Sequence, residues 1–462
     1  MGKKIFQSLQ HRHAAQNLIA SMTDNGSNNR TMNRQIYKQI RGQPGNRLSE
    51  RNMSILCACH AWHLTCSNLL SELDVVEVTE EEDGYDVAKA FDLGERIEES
   101  EEIRQEEARM RRLDGEDTSW IPDEESDDDF DDIEPDNDPV EGDPLAGDLR
   151  QSTQAKNSAN PQKQRTKALN PIQKIQIHAI AVHCTSSPQR QKIMAGYIRL
   201  YCFVVLAVIK SMAIRWNTVL AELRRALLLR PTNTLEIGKT GKARQAALQL
   251  KQELTMSDTE WEVVAEVVQI LQPFEEATLS FSKHGKPHLP DVLPTFMKLH
   301  TELQNSRQRL QKEYGAKNDP YGLIRAISAG EHKLEKYFKI ALQNDSVLVS
   351  SILHPGMRLR FFQDEHMWGD MMRRGKELIA GLFETYKLET PNTESPNQPS
   401  LRPGLHTSWS DQLLQLSGAS KSDLDDELSW FFGNVYAYKP GTNILVWWRE
   451  HELDFPVLSR IA

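Results

Sequence analysis

The sequence predicts a chain of mixed class, with a short α/β unit at its start and an all-α body after it. Short apolar runs that end in polar turns lie within residues 1–73, whereas apolar residues recur at helical spacing through residues 166–390. Between these parts, residues 74–165 are poor in apolar residues and rich in acidic ones. Such a segment cannot bury enough surface to offset its ordering entropy, so we expect an acidic disordered linker there, although its first part, Val87–Leu113, also fits a charged helix.

Helix and strand signals alternate within residues 1–73. The expected elements are a helix at Lys4–Ala15, a strand at Leu18–Met22, a helix at Ser27–Ile40, a strand at Ser54–Ala58 and a helix at His60–Leu73. The polar residues from Thr23 to Gly26 predict a tight turn directly after the first strand.

Residues 166–390 are predicted to form a helical domain. Its clearest start signal is a capping box at Ser257 and Glu260, after which apolar residues follow at helical spacing. We expect Pro273 to end that helix and Gly330 to interrupt a later one. Residues 391–420 have the Pro-, Ser- and Asn-rich composition of a flexible linker, and residues 421–462 predict an aromatic-rich helical segment.

The charge of the chain is divided between two regions of opposite sign. The formal net charge of the 462 residues is −11, yet residues 72–150 alone hold 33 acidic and 7 basic residues, a net of −26. The rest of the chain therefore carries a net charge of +15. A basic body fits contact with nucleic acid. The acidic run fits a solvated linker, or alternatively a tail that binds basic partners or screens the body from DNA.

The sequence does not indicate a membrane-spanning, secreted or disulfide-stabilised protein. The longest apolar run, Leu200–Ile209, is too short to span a bilayer, and no secretory signal is visible, so we expect no membrane association. The five cysteines are few and odd in number for this length, which favours a reducing cytosol or nucleus over a disulfide framework.

Short motifs follow one another along the chain in a fixed order. They are Thr23–Asn29, Cys57–His60 with Leu64, Asn170–Ile172 with Ser186–Arg190, Arg215–Thr218, Glu260–Ser280, Lys333–Phe338, Ile352–Met357, and Trp447–Trp448 with Phe455–Ser459. Each motif is weak alone, but their joint order resembles the hAT superfamily of DNA transposases, especially the forms common in fungal genomes.

The resemblance implies a partial ribonuclease H-like core that is interrupted by a large helical insertion domain and by the acidic segment. It also implies that residues 421–462 begin the C-terminal dimerisation region of this family. The residues expected to contribute there are Trp447, Trp448, Phe455, Pro456 and Leu458. We therefore expect a nuclear protein that binds itself and contacts DNA.

In this family, three carboxylates hold the divalent ions that cleave DNA. Mg²⁺ or Mn²⁺ ions stabilise the attacking and leaving oxygens of phosphoryl transfer. Asp24 matches the second of these acids. No residue matches the other two, because the sequence begins after the strand that would carry the first and stops before the segment that would carry the glutamate. We expect such ions to bind poorly here and the chain to be a catalytically inactive remnant.

Four other residues match motifs that handle DNA in relatives. Cys57 and His60 match a Cys-x-x-His pattern that lies close to the DNA. Arg215 and Trp216 match a motif of the insertion domain, where an Arg can pair with phosphate and a Trp ring can stack on an unpaired base.

Each candidate residue also has a purely structural interpretation. Asp24 fits an Asx turn that caps the next helix, and Trp216 fits a core anchor. The two tryptophans Trp447 and Trp448 fit packing of a helix against the core or a partner chain. A compact cluster suggests zinc, but no second ligand pair accompanies it, so buried thiols and packed imidazoles are the preferred interpretation. The cluster consists of Cys57, Cys59, His60 and His63.

Two functional hypotheses follow from these observations. The first is a hAT transposase-like protein that has lost strand cleavage and retains dimerisation and DNA contact. The alternative is a non-enzymatic nuclear scaffold that was domesticated from a transposase and forms a stable dimer without affinity for DNA. A steep salt dependence of DNA binding would distinguish the first from the second.

Overall fold

The computed structural model places a small parallel strand pair among many helices. The ranges that it describes are residues 2–15, 18, 20–23, 27–41, 52–75, 96–115, 169–177, 192, 195–196, 198–199, 206–210, 215–230, 252, 254–315, 318–388, 425–433 and 436–462.

Most of the described residues are helical. The strands are β1 (Ser21–Thr23) and β2 (Ser54–Leu56). The α-helices are α1 (Gly2–His11), α2 (Ser27–Ile40), α3 (Ala58–Glu72), α4 (Glu101–Gly115), α5 (Trp216–Leu229), α6 (Asp258–Phe281), α7 (Val292–Tyr314), α8 (Leu323–Gln343), α9 (Asp345–Leu353), α10 (Glu365–Trp368), α11 (Met371–Leu388), α12 (Asp425–Phe432), α13 (Ile444–Glu450) and α14 (Leu458–Ile461). Short 3₁₀ helices lie at Ile97–Glu99, Leu289–Asp291, Pro320–Gly322 and Leu359–Phe362.

The strands β1 and β2 run parallel, with Ser21 opposite Ser54 and Thr23 opposite Leu56. The first strand begins later than its apolar run predicts, at Ser21 rather than Leu18. Leu18 instead packs against the buried cluster of the helix pair α1 and α2. An α/β unit with helical neighbours is therefore present, and the full ribonuclease H-like core stays a prediction.

Contacts within the chain divide it into two compact units. The first unit comprises Met1–Arg96, Ala213–Asn217 and Gln269–Ala462, and the second comprises Ile97–Met212 and Thr218–Val268. The boundaries predicted for the acidic linker at 74–165 and for the later linker at 391–420 remain predictions, since residues 116–168 and 389–424 lie outside the described ranges.

In the first unit, α3 is buried on nearly all sides. It packs against α8, which also packs against α7. Asn68 of α3 donates to the carbonyl oxygen of Ala329 at 3.1 Å. A Cβ at Gly330 would lie 3.4 Å from Leu69, so the small residue permits close approach of α3 and α8. The prediction that Gly330 interrupts its helix is wrong: α8 continues through it, because packing outweighs the low helix propensity of glycine.

Pro273 also lies inside a helix, contrary to the sequence prediction. Helix α6 continues past it to Phe281. The residues that follow it, Phe274 and Ala277, are buried, so the apolar face extends across the proline. Burial of this face offsets the lost backbone hydrogen bond, which costs on the order of 3 kcal/mol in an unsupported helix.

The second unit contains the predicted capping box. The Glu260 backbone N–H donates to Ser257 Oγ at 3.2 Å, and the Ser257 N–H donates to Glu260 Oε2 at 2.9 Å. Lys174 Nζ adds an ion pair to Glu260 Oε1 at 2.6 Å. The start of α6 is thus confirmed, because a capping box depends only on residues three apart.

Helix α4 lies inside the acidic segment and is held by ion pairs of this unit. Arg225 of α5, only 6% exposed, binds Glu107 at 2.6 Å. The same guanidinium donates to the carbonyl oxygen of Ala207 at 2.7 Å. Met110, Leu229 and Ile198 form part of a small buried apolar cluster. Among the described helices, none has the length and apolar content needed to cross a bilayer.

Candidate functional site

The carboxyl ends of β1 and β2 form the edge to which the sequence assigned the metal-binding acid. The backbone N–H of Cys57 donates to the carbonyl oxygen of Thr23 at 3.2 Å, so the two strands end side by side. Asp24, the next residue along the chain, lies outside the described residues. The structure therefore fixes the strand ends and leaves the role of Asp24 as a prediction.

The strand edge is anchored from the far end of the sequence. Asn344 donates to the carbonyl oxygen of Ser54 at 3.2 Å. One residue on, the backbone N–H of Asp345 donates to Asn52 Oδ1 at 2.9 Å. Asn344 also caps α9 by accepting from Ser346 and Val347. These amide contacts bind β2 to the start of α9, and no sequence motif had marked them.

Cys57 and His60 lie where β2 passes into α3. Cys57 is the N-cap of α3, and its side chain makes no capping hydrogen bond. His60 is 7% exposed, and its ring stacks on His63 with the centroids 6.2 Å apart. Burial, together with the nearby His60, lowers the pKa of His63 to about 4. His63 is therefore neutral at pH 7, and both imidazoles serve as packed helix residues in this conformation.

The thiols of this region are poor ligands for a metal. A hydrogen bond with Cys57 and burial both raise the pKa of the Cys59 thiol far above its usual value. Only a thiolate binds zinc, so this environment disfavours zinc. Within the described ranges, no three His, Cys, Asp or Glu residues converge as a metal site. Sulfur and imidazole donors also do not fit Mg²⁺ or Mn²⁺, which prefer oxygen ligands.

Trp216 opens α5 and is 1% exposed. Its indole Nε1 is buried and has no acceptor among the described residues. Arg215 precedes it and is half-buried. In this conformation the Trp216 ring is inaccessible to a DNA base, which agrees with its interpretation as a core anchor.

The five dimerisation candidates lie in a C-terminal region built around aromatic rings. The rings of Phe431, Tyr436, Trp447, Trp448 and Phe455, which we call the aromatic cluster, lie with neighbouring centroids 4.8–6.1 Å apart. Four of the candidates are nearly inaccessible, namely Trp447, Trp448, Phe455 and Leu458, whereas Pro456 is exposed. These four side chains pack within the single chain.

The aromatic cluster contacts the distant motif Ile352–Met357 and the residue after it. Trp448 Nε1 donates to the carbonyl oxygen of Leu353 at 3.1 Å. The guanidinium of Arg358 lies 5.0 Å from the centre of the Phe431 ring and donates to the carbonyl oxygen of Tyr436 at 2.7 Å. Two motifs almost 100 residues apart are thus joined in space.

Two structurally important residues here escaped the sequence analysis. Arg358 is 3% exposed, and burial lowers the pKa of its guanidinium. Glu427 is 4% exposed and accepts backbone hydrogen bonds at the start of α14. Glu427 is the third of three consecutive acidic residues, Asp425–Glu427, so its charge does not single it out and does not identify its partner.

Comparison with known proteins finds a fungal relative. The chain is 24% identical over 318 residues to a Talaromyces stipitatus protein described as "Putative transcriptional regulator tpeD". The match covers 67% of this chain and 32% of the relative, so the chain spans about a third of that protein. No protein-family model matches the chain. No solved structure matches it either.

Proposed function

We propose that this chain is a hAT transposase-like protein that contacts DNA in the nucleus as a regulator and does not cleave it. This proposal rests mainly on the edge formed by the carboxyl ends of β1 and β2. Its described residues supply a thiol at Cys57 and an imidazole at His60, and Asp24, which follows β1 outside the described residues, is the single acid of the three that the sequence matches. Thiol and imidazole donors do not fit the hard divalent ions that strand cleavage in this family requires.

The DNA-contacting part of the proposal is supported by charge and by the fungal relative. Outside residues 72–150 the chain carries a net charge of +15, which favours binding to a polyanion. The relative's description names transcriptional regulation, an activity that takes place on nuclear DNA in fungi. The test therefore measures DNA binding and DNA cleavage separately.

The test incubates purified full chain with labelled duplex DNA and either Mg²⁺ or Mn²⁺. We expect salt-dependent binding without nicking, and no change in either measurement for Asp24→Ala. Nicking by the wild type that is lost in Asp24→Ala would contradict the non-catalytic proposal. The variant Glu313→Ala, which removes an exposed acid of α7 outside the strand edge, is the matched control.

A specific observation favours the alternative of a non-enzymatic scaffold. Trp216 and His60, two of the four residues assigned to DNA contact, are 1% and 7% exposed. A scaffold would use its helices to bind nuclear proteins and would show no DNA affinity at physiological salt. The binding assay therefore separates the two functions.

Self-association is part of both proposals and has a candidate surface. Near the buried aromatic cluster, Leu445, Val446 and Leu453 are 51%, 41% and 97% exposed. Exposed aliphatic residues beside a packed cluster are suited to contact a second copy. Light scattering at micromolar concentration should find a dimer, and Leu445→Glu with Leu453→Glu should produce a monomer that keeps its helical content. A wild-type monomer would contradict self-association.

A further inference from the structure

The helix pair at the start of the chain has an unusual charge. The first 49 residues contain eight basic residues, and Asp24 is their only acid. Six of the cations are described and exposed, namely Lys3, Lys4, Arg12, Arg34, Lys38 and Arg41. We call the surface formed by Lys3, Lys4, Arg34, Lys38 and Arg41 the N-terminal basic face.

Two cations of α2 and the residue that follows the helix lie on one side, since the Arg41 backbone N–H still donates to the Tyr37 carbonyl oxygen at 2.9 Å. Arg34, Lys38 and Arg41 are spaced by four and three residues, which aligns them along one face. The opposite face buries Ile36 and Ile40, which are 2% and 0% exposed. The buried face fixes the rotation of α2, so Arg34, Lys38 and the adjoining Arg41 point away from the apolar cluster of the helix pair.

The cations of α1 lie close to those of α2. A Cβ at Gly2 would lie 2.9 Å from both the Met32 carbonyl oxygen and Gln35 Cβ, so the two backbones approach closely at this point. Lys3 and Lys4 follow Gly2 directly and are exposed. The start of α1 therefore adds its two cations beside the segment of α2 that carries Arg34.

We propose that the N-terminal basic face binds the phosphate backbone of duplex DNA. This inference rests on the proposed function and assigns its DNA contact to a surface. From Arg34 to Arg41 the helix advances about 10 Å, while phosphates of one strand recur about every 3.4 Å along the duplex axis, so the three cations match a run of a few phosphates. Lysine and arginine cations pair with phosphate oxygens, so the face suits backbone contact without base selection.

The test uses the full chain and fluorescence anisotropy with a labelled duplex of about 30 base pairs, in salt from about 50 to about 200 mM. The test variant carries Arg34→Gln, Lys38→Gln and Arg41→Gln. The control variant carries Lys298→Gln, Lys312→Gln and Lys376→Gln, which remove three exposed cations from α7 and α11. Circular dichroism verifies that both variants keep the helical content of the wild type.

We expect the test variant to lose about 10- to 100-fold in affinity and to lower the slope of log K against log salt by about 2 to 3, while the control stays near wild type. Equal slopes of log K against log salt for the two variants would contradict DNA binding by the N-terminal basic face and leave the proposed function intact. A wild type without salt-dependent DNA binding would overturn both. Loss of binding to polyglutamate with unchanged duplex binding would reassign the face to acidic protein and overturn the DNA inference.

Discussion

The carboxylate of Glu427 accepts a hydrogen bond from the backbone N–H of Leu458 at 2.7 Å, and the pair joins α12 to the start of α14. The backbone N–H of Val457 donates to the same oxygen at 3.1 Å. Two N–H groups at the start of α14 thus obtain their acceptor from a side chain 30 residues earlier. This contact closes the C-terminal region around the aromatic cluster.

Replacement of Glu427 should separate the role of its oxygen from that of its charge. Glu427→Ala leaves two buried N–H groups without an acceptor, so the free energy of unfolding should fall by about 2–3 kcal/mol. Glu427→Gln keeps a carbonyl oxygen and should cost less than about 1 kcal/mol. Urea unfolding measures both, with exposed Glu450→Ala as the control.

The ionisation of Glu427 also predicts a pH dependence. Burial raises its pKa, against the opposing effect of the Leu458 and Val457 hydrogen bonds. A carboxyl whose pKa is raised in the folded state contributes stability that is present below the unfolded pKa and lost as pH rises through the folded value. The free energy of unfolding of Glu427→Gln should therefore increase relative to that of the wild type as the pH rises. A difference in the free energy of unfolding between Glu427→Gln and wild type that stays constant with pH would contradict this expectation.

Acidification should destabilise the first unit through His63. Burial and the nearby His60 hold its pKa at about 4, below the ordinary histidine value of 6.5. The stability linked to its neutral form is fully present above pH 6.5 and is lost progressively as the pH falls from 6.5 to about 4. At pH 5 the free energy of unfolding should be about 2 kcal/mol lower than at pH 7, and His63→Gln should abolish most of this decrease. Thermal unfolding between pH 7 and 5 gives the comparison, and exposed His366→Gln should behave as wild type.

Two Gly→Ala substitutions should change stability in opposite directions. A Cβ at Gly356 would lie 2.7 Å from the Tyr438 ring, so Gly356→Ala should cost about 1–3 kcal/mol. Gly381 lies within α11 with nothing within 4 Å of its Cβ position, so Gly381→Ala should add about 0.5–1 kcal/mol. Equal shifts in melting temperature would contradict the packing described around Tyr438.

Substitution of Trp216 should distinguish a core anchor from a DNA contact. Because the ring is 1% exposed, Trp216→Ala should lower the free energy of unfolding by about 3–5 kcal/mol. Trp216→Phe retains most of the apolar volume and should restore stability and DNA binding together. A stable Trp216→Phe variant with strongly reduced DNA affinity would instead support base stacking.

The acidic segment should weaken DNA binding by the rest of the chain. Residues 72–150 carry a net charge of −26 against +15 elsewhere. Replacing residues 116–165 with a neutral Gly/Ser sequence of equal length should therefore raise DNA affinity, most clearly at low salt. A shuffled sequence that keeps the composition should bind as the wild type does. Equal affinity of the neutral and shuffled variants would contradict a screening role.

Local signals predicted some elements closely and misplaced the ends of others. Helix α2 spans Ser27–Ile40 as expected, and the capping box starts α6, because both depend on residues within one turn of each other. The predictions of a helix end at Pro273 and of a helix break at Gly330 are wrong, since burial against distant residues offsets the low helix propensity of proline and glycine. For the candidate site, sequence identified Cys57 and His60 but not Asn344, which holds β2 from 290 residues away.

The sequence by itself determined the division of charge and most of the described helices, since composition and periodicity act over short stretches of chain. Tertiary structure alone decided that β2 pairs parallel to β1, that Trp216 and Trp448 are buried, and that Arg358 contacts the ring of Phe431. Those outcomes depend on which segments, distant in the sequence, pack against each other. The burial of a side chain and its hydrogen-bond partners are defined only once that packing has formed.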